Sequence, residues 1–512
     1  MRAVLVGSTL VVGAFGAPVR PQRRDYNVGP GQDFATIGAT PLAFLEPGDT
    51  IRVHPHPDGA AYHEKFVLSG PGGSEAAPVT LQGVPDPVTG ALPVVDGVNA
   101  VAPTNLNWPT GQRSLVQVGG ANVPAGVPTH IIIDSMRLQN AKPPATFTHW
   151  NGEVMTYADN AACVWIQNGG MITIRNSELY DCGNLIFITG PTGTHDIFVE
   201  GNHIRGGGIP ASSQEHNTYT EALGLTFSEN FFDLGCAGCQ GSNLKDRSGG
   251  LTVRNNWFYG GNRNLDLVDS QTPEILGDPR YRDTYVYGNV LMQPIQEQPL
   301  NRQMVHYGGD SGNFSRYRKG TLHLYYNTIV SYRPDATTLL LLDTNDETAD
   351  VVNNIILTTA PGSTLEISAS LQGHTSLENN FIKPGWFPAF EPGAEPGTVT
   401  SEGNIELDEP GFLDPQWATS YNFDLAPSSP CVGHARPLEP GQPVPEQEYV
   451  RNEMGGWGHT RPRRAAQDLG ALESVASAAQ NANLTTALSP EQHRAMALEA
   501  WRRWRKKEAG AR

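Results

Sequence analysis

Charge is scarce in this chain of 512 residues: only 17% are Asp, Glu, Lys or Arg, and the net charge of −17 is acidic. With no basic excess, a general nucleic-acid binder is excluded, and an anionic ligand would need a local basic groove. Leu/Ala-rich helical periodicity is missing from the body of the chain, which excludes an α-solenoid. Beyond residue 17 no apolar run is long enough to cross a bilayer. Phosphate-loop, haem and flavin motifs are missing too. Glycine runs such as Gly206 to Gly208 are turn signals. Only five cysteines are present.

What the chain has is turn residues and a repeat. Its 56 Gly and 40 Pro punctuate a phrase of alternating apolar residues, then Asn, then a large apolar residue two places on. The phase-matched asparagines are Asn176, Asn202, Asn230, Asn256, Asn289, Asn327, Asn354 and Asn380, spaced 26, 28, 26, 33, 38, 27 and 26 apart. A fixed period of this size marks a stacked repeat. Three places before each Asn sit Thr173, Val199, Phe227, Val253, Val286, Leu324, Val351 and Leu377. Alternation at period 2 in β-branched and aromatic residues means strands. The expectation is an all-β solenoid: a single-stranded parallel β-helix whose coils stack at about 4.8 Å. The asparagines are expected to form a hydrogen-bonded ladder at a corner, where Asn tolerates left-handed backbone.

The opening coils carry Pro47 to Val53 (PGDTIRV), Tyr62-His63-Glu64 and Pro78 to Gly83 (PVTLQG). The closing phrases are Tyr421 to Pro430 and Asp468 to Glu473. These resemble the first and last coils of secreted right-handed parallel β-helix proteins of the pectate-lyase-like superfamily. The resemblance covers residues 26–474 and implies the right-handed fold. It does not fix the reaction, because the same solenoid carries lyases, hydrolases, epimerases, esterases and adhesins. Residues 1–17, with one positive charge, a short apolar core and small residues near a plausible cut, read as a signal peptide. A secreted or periplasmic location follows from that reading. Residues 432–463 are expected to wrap the C-terminal end, and residues 475–488 form a linker. From Ser489, an N-cap with Pro at the first position opens a basic helix to about residue 507.

Chemistry is expected where polar residues break the pattern at one phase of adjacent coils. His216 and Tyr219, Lys245 and Arg247, Arg263, Asp266 and Asp269, and His306, Tyr307 and Asp310 do so. The order H-N-x-Y, K-x-R, L-D-L and V-x-Y-G resembles an uncharacterised bacterial subgroup of these β-helix proteins. β-Elimination from a uronate polymer must neutralise a carboxylate, remove the C5 proton and protonate the leaving oxygen. Lys245 as base, Arg247 as its neighbour and carboxylate partner, and His216 or Tyr219 as second proton carrier suit those acts. Similar β-helix lyases, such as chondroitinase B and alginate lyases, use a Lys/Arg pair. Arg263, Asp266, His306 and Tyr307 are the candidate substrate-binding residues. Calcium is a candidate cofactor, with oxygen ligands offered by Glu221, Asp246, Asp266, Asp269 and Asp310. No other cofactor is expected.

Cys236 and Cys239 form a C-x-x-C that would close a small disulfide in an exported protein. Cys182 and Cys236 share a phase two coils apart, too far to bridge, so at least one thiol should lack a partner. The sequence therefore reads as a polysaccharide lyase acting on an acidic polysaccharide. The alternatives are a glycoside hydrolase on Asp266 and Asp269, or a non-catalytic glycan-binding protein. Asp266 and Asp269, three apart on a strand, would face opposite ways, which weakens the hydrolase pair.

Overall fold

The computed structural model describes residues 23–120, 127–190, 193–295, 301–391, 393, 395–414, 422–451, 457–464 and 467–474. The signal-peptide, linker and C-terminal-helix readings lie outside them. The body is a right-handed parallel β-helix built from three long parallel sheets. The first has 13 strands (Asp25–Val28 to Thr398–Glu402), the second 11 (Val94–Asp96 to Ile405–Glu406) and the third 10 (Phe66–Leu68 to Leu365–Ser368). Successive turns of the chain add one strand to each sheet, so residues far apart in sequence become neighbours in register. Right-handed crossover between parallel strands is the strongly favoured hand. One continuous apolar core runs along the axis, with columns such as Ile197, Leu225 and Leu251 from the first sheet. Among the described residues the one α-helix is the short Pro273–Gly277.

The asparagine ladder is present but shifted at its start. From Asn230 onward, each Oδ1 accepts from the backbone N–H and the Nδ2 of the ladder residue one coil earlier. Asn230, for example, accepts from both groups of Asn202 at 3.0 Å, and Asn256 accepts from Asn230 at 3.0 and 2.9 Å. The series continues through Asn289, Asn327, Asn354 and Asn380 to Asn404. Asn176 does not belong to it. Ser177 takes that position, its N–H donating to Asn202 Oδ1 at 3.0 Å, while Asn176 is exposed and bonds to Asp134. Thr173 accordingly faces outward, and Ile174 is the buried member of its column. The left-handed residue is also one place earlier than expected. Gly201, Glu229, Asn255 and Gly288 have φ of 63°, 60°, 53° and 66°. That preceding residue turns the corner, and the ladder Asn stitches it to the next coil.

The C-terminal segment does not wrap the end of the solenoid. Residues 422–451, 457–464 and 467–474 fold back along the flank of the second sheet. Phe423, Tyr449, Val450, Ala471 and Leu472 pack there on Phe231, Trp257, Val290, Met292 and Val330. Cys163 and Cys182 are joined in the interior, a pairing the comparison of Cys182 with Cys236 overlooks, and Cys236 is joined to Cys239. Cys431 is free and buried.

Candidate functional site

Strand register in the third sheet builds the site. Its outward column runs Gln117, Trp165, Phe187, Tyr219, Lys245, Asp266, His306 and Leu341, one residue per coil. Inward neighbours such as Leu244, Leu265 and Val305 fill the core, because side chains alternate across a strand. The column changes character along its length. Trp165, Phe187 and Tyr219 form an aromatic run, with ring centroids 6.1 and 5.5 Å apart. Arg113 lies over Trp165 at 4.7 Å. Then come a cation, an anion and a histidine. Ser213, Gln214, His216, Gln240, Ser242, Asn262, Arg263 and Asp310 surround these three and enclose a cleft of about 340 Å³.

Lys245 is almost wholly buried, and its Nζ donates to Asp266 Oδ2 at 3.0 Å and Asp310 Oδ2 at 2.6 Å. It was expected to face Arg247 as a base beside a second cation; instead two carboxylates lie against it. Arg247 projects to the same side. Its Nε donates to Tyr219 Oη at 2.9 Å, its Nη1 to the Asp269 carbonyl, and its Nη2 lies 2.8 and 3.0 Å from the two oxygens of Asp310. Burial opposes the charge on Arg247, but Tyr219 and Asp310 more than offset it and raise its pKa. The same cations keep Asp310 ionised: burial pushes its pKa up, and Lys245 and Arg247 bring it below the ordinary value.

Asp266 is the hub. Beyond Lys245, its Oδ1 accepts from His306 Nδ1 at 2.7 Å and from Arg263 Nη1 at 3.3 Å. Burial alone would raise its pKa; His306, Lys245 and Arg263 hold it well below the carboxylate range. His306 is clamped on its other side by Asp343, Nε2 to Oδ2 at 2.7 Å. Burial disfavours its charge, but the hydrogen bonds to Asp266 and Asp343 outweigh that and raise its pKa. His216 is the opposite case. Its Nδ1 accepts the Ser242 N–H at 2.9 Å. Burial, reinforced by Lys245 and Arg247 against Asp266, pushes its pKa down to about 3. It is a neutral imidazole whose proton therefore sits on Nε2, on a ring that lines the cleft.

Four expected site residues lie elsewhere. Tyr307 is fully buried and belongs to the core, because it points inward one place after the outward His306; it cannot meet a substrate. Asp246 points inward between Lys245 and Arg247. There it accepts from fully buried Arg318 at 2.9 Å, and from Thr220 and Ser248. Glu221 is bonded to Ser270 and the Gln271 N–H. Asp269 is buried behind the cleft, where its Oδ1 accepts the N–H groups of Asp310 and Ser311. These carboxylates do not converge: among the described residues no cluster of three His, Cys, Asp or Glu is placed to hold a metal ion. Asp343 went unnoticed in the sequence, although it lies 16 places after Asn327, the phase at which its neighbours were found.

No protein-family profile and no curated protein matches the chain. Among solved structures it is similar to an alginate lyase from Paenibacillus at 12% identity and TM-score 0.34, covering 72% of this chain and 95% of that one. A pectate lyase matches at 11% and 0.38, covering 89% and 98%. An exopolygalacturonase from Yersinia enterocolitica matches at 11% and 0.29, covering 75% and 78%. The architecture itself rests on the chain's own strand register: the protein is a right-handed parallel β-helix with a charged cleft on its third sheet.

Proposed function

We propose that this cleft cleaves an acidic, uronate-containing polysaccharide by β-elimination, on a protein exported from the cytoplasm. The observation that carries the reading is the pairing of the cleft's carboxylates with cations: Lys245 to Asp266 at 3.0 Å and to Asp310 at 2.6 Å, and Arg247 to Asp310 at 2.8 Å. Asp266 and Asp310 are both held ionised by neighbouring cations. A two-carboxylate hydrolase needs one carboxyl kept protonated to donate its proton to the glycosidic oxygen, and neither of these two is free of a cation in the resting cleft. Elimination instead needs cations and proton carriers: Lys245, Arg263 and His216 line the cavity, and Arg247 lies behind Asp310. Arg247 and Arg263 neutralise the C6 carboxylate of the uronate. Lys245, once it has passed a proton to a neighbouring carboxylate, takes the C5 proton. The His216 Nε2–H hydrogen-bonds the leaving oxygen as charge grows on it. Tyr219 holds Arg247 in place. Two disulfides suit an oxidising compartment and support the export reading.

The test is incubation of the full chain with a panel of acidic polysaccharides, with calcium and with a chelator. The readout is the ultraviolet absorbance of the unsaturated uronate product. Wild type should generate that product, and Lys245→Ala should lose about 10²–10⁴-fold in rate. New reducing ends without the unsaturated product would replace elimination with hydrolysis. Neither signal on any polymer would leave a glycan-binding protein.

A further inference from the structure

Asp310 stands where a substrate carboxylate would have to go. Its two oxygens meet Arg247 Nη2 at 2.8 and 3.0 Å, and Oδ2 also takes the Lys245 ammonium at 2.6 Å. One internal carboxylate thus pairs with both Lys245 and Arg247. The backbone beneath it is fixed independently of that pairing. The N–H groups of Asp310 and Ser311 donate to Asp269 at 2.8 and 3.2 Å, and Gly309 N–H donates to Asp343 at 2.7 Å. The side chain itself is 32% exposed and lines the cavity. Rotation about its first torsion therefore moves the carboxylate and leaves the chain where it is. The cations stay in place when its pairing with Arg247 breaks: Arg247 keeps Tyr219 and the Asp269 carbonyl, and Lys245 keeps Asp266.

We propose that Asp310 is an internal stand-in for the uronate carboxylate, which the substrate displaces from Arg247, and that the displaced Asp310 then serves as the acid of the reaction. The second half rests on the elimination reading. Arg247 passes its pairing to the incoming carboxylate. Asp310 has lost its guanidinium but still lies beside Lys245, so it accepts one proton: an N–H bond of Nζ breaks and an O–H bond forms. The neutral Lys245 amine takes the C5 proton. The C5–H electron pair becomes the C4–C5 double bond, and the C4–O4 bond breaks with its pair on oxygen. Asp310 delivers its proton to that oxygen. The turnover ends with Lys245 as ammonium and Asp310 as carboxylate, so no proton is exchanged with solvent.

This arrangement selects a substrate class. Base and acid lie one short hydrogen bond apart, so both reach the sugar ring from one face, and elimination is syn. The substrate must carry the C5 hydrogen and the C4 oxygen on the same face. Glucuronate and mannuronate do so; galacturonate and guluronate carry them on opposite faces.

Two experiments test the proposal. In the first, wild type is offered polymannuronate and 4-linked glucuronate polymers beside polygalacturonate and polyguluronate. Unsaturated product from the first pair alone supports it, and product from the second pair alone overturns it. In the second, calorimetry follows binding of methyl β-D-glucuronoside, which has no glycosidic leaving group at C4, to wild type, Asp310→Asn and Asp310→Ser. All three are checked for an intact unfolding transition. Removing the internal competitor should tighten binding by about tenfold, while turnover falls by about 100-fold or more. A carboxylate that merely braces the loop would weaken both. Unchanged or weaker binding in both variants overturns the stand-in role, and retained turnover overturns the acid role. If no polymer is cleaved by wild type, the elimination reading fails, and the binding arm alone decides whether Asp310 fills an anion site.

Discussion

The asparagine ladder and the outward column of the third sheet are products of the same in-register stacking, yet one repeats a residue and the other changes it at every coil. In the ladder, each Asn finds the same partners, N–H and Nδ2, one coil back, and the result is a buried seam with every polar group answered. In the column, Tyr219, Lys245, Asp266 and His306 follow one another, so each cation and anion finds a complement beside it, facing a cavity. Repetition marks what holds the solenoid together; its interruption marks the charged cleft. The contrast recurs within three residues. Asp246 turns inward to Arg318 and is fully buried, while Lys245 and Arg247 turn outward to the half-exposed Asp310.

The largest effect on stability should come from the inward pair. Asp246→Ala leaves the Arg318 guanidinium buried without its anion and should cost about 3–5 kcal/mol, read as a fall in the midpoint of urea unfolding. Conservation of that midpoint would show that the four carbonyl and hydroxyl partners of Arg318 suffice. Next is the ladder. Asn256→Ala strips acceptors from Asn230 and leaves buried groups unanswered, for about 1–3 kcal/mol, with turnover per folded molecule unchanged. A drop in turnover at full folding would blur the division between seam and cleft.

The pH response is smaller and its sign follows from the two histidines. His306 has a raised pKa in the folded state, so its contribution is complete below the unfolded value of about 6.5 and is lost as pH rises through the folded value. His216 is pushed down to about 3; the unfolded chain binds that proton more readily, so stability falls as pH drops from about 6.5 toward 3. Melting temperature against pH should therefore decline on both sides. His306→Gln should flatten the alkaline limb and leave the acid limb, and an unchanged alkaline limb would discount the clamp by Asp266 and Asp343. Smallest of all is the loss of Cys236–Cys239. It closes a loop of sequence separation 3 and is half-buried, whereas Cys163–Cys182 spans 19 and is buried. Mild reductant should open Cys236–Cys239 first, at about 1.6 kcal/mol, and mass analysis of alkylated thiols reads the order.

The periodic part of this protein was legible because each coil repeats the same local problem. The fold, the strand faces and the cluster of Lys245, Arg247, Asp266, His306 and Asp310 all follow from counting along the repeat. The misses came where counting slips by one. Asn176 satisfies the pattern, but Ser177 holds the ladder position. Tyr307 and Asp246 sit beside true cleft residues and face the core, because parity along a strand reverses at each step. Asp343 could have been found by phase. The Asp246–Arg318 pair could not: its partners are 72 residues apart, and Arg318 comes from a loop that no other coil repeats.

The division between cleft and seam is tested most directly by measuring two quantities on two variants, Lys245→Ala and Asn256→Ala: the rate of unsaturated-uronate formation and the unfolding midpoint. Lys245→Ala should lose the rate and keep most of the midpoint, and Asn256→Ala should lower the midpoint and keep the rate. A Lys245→Ala protein that still forms the product at the wild-type rate would contradict the account.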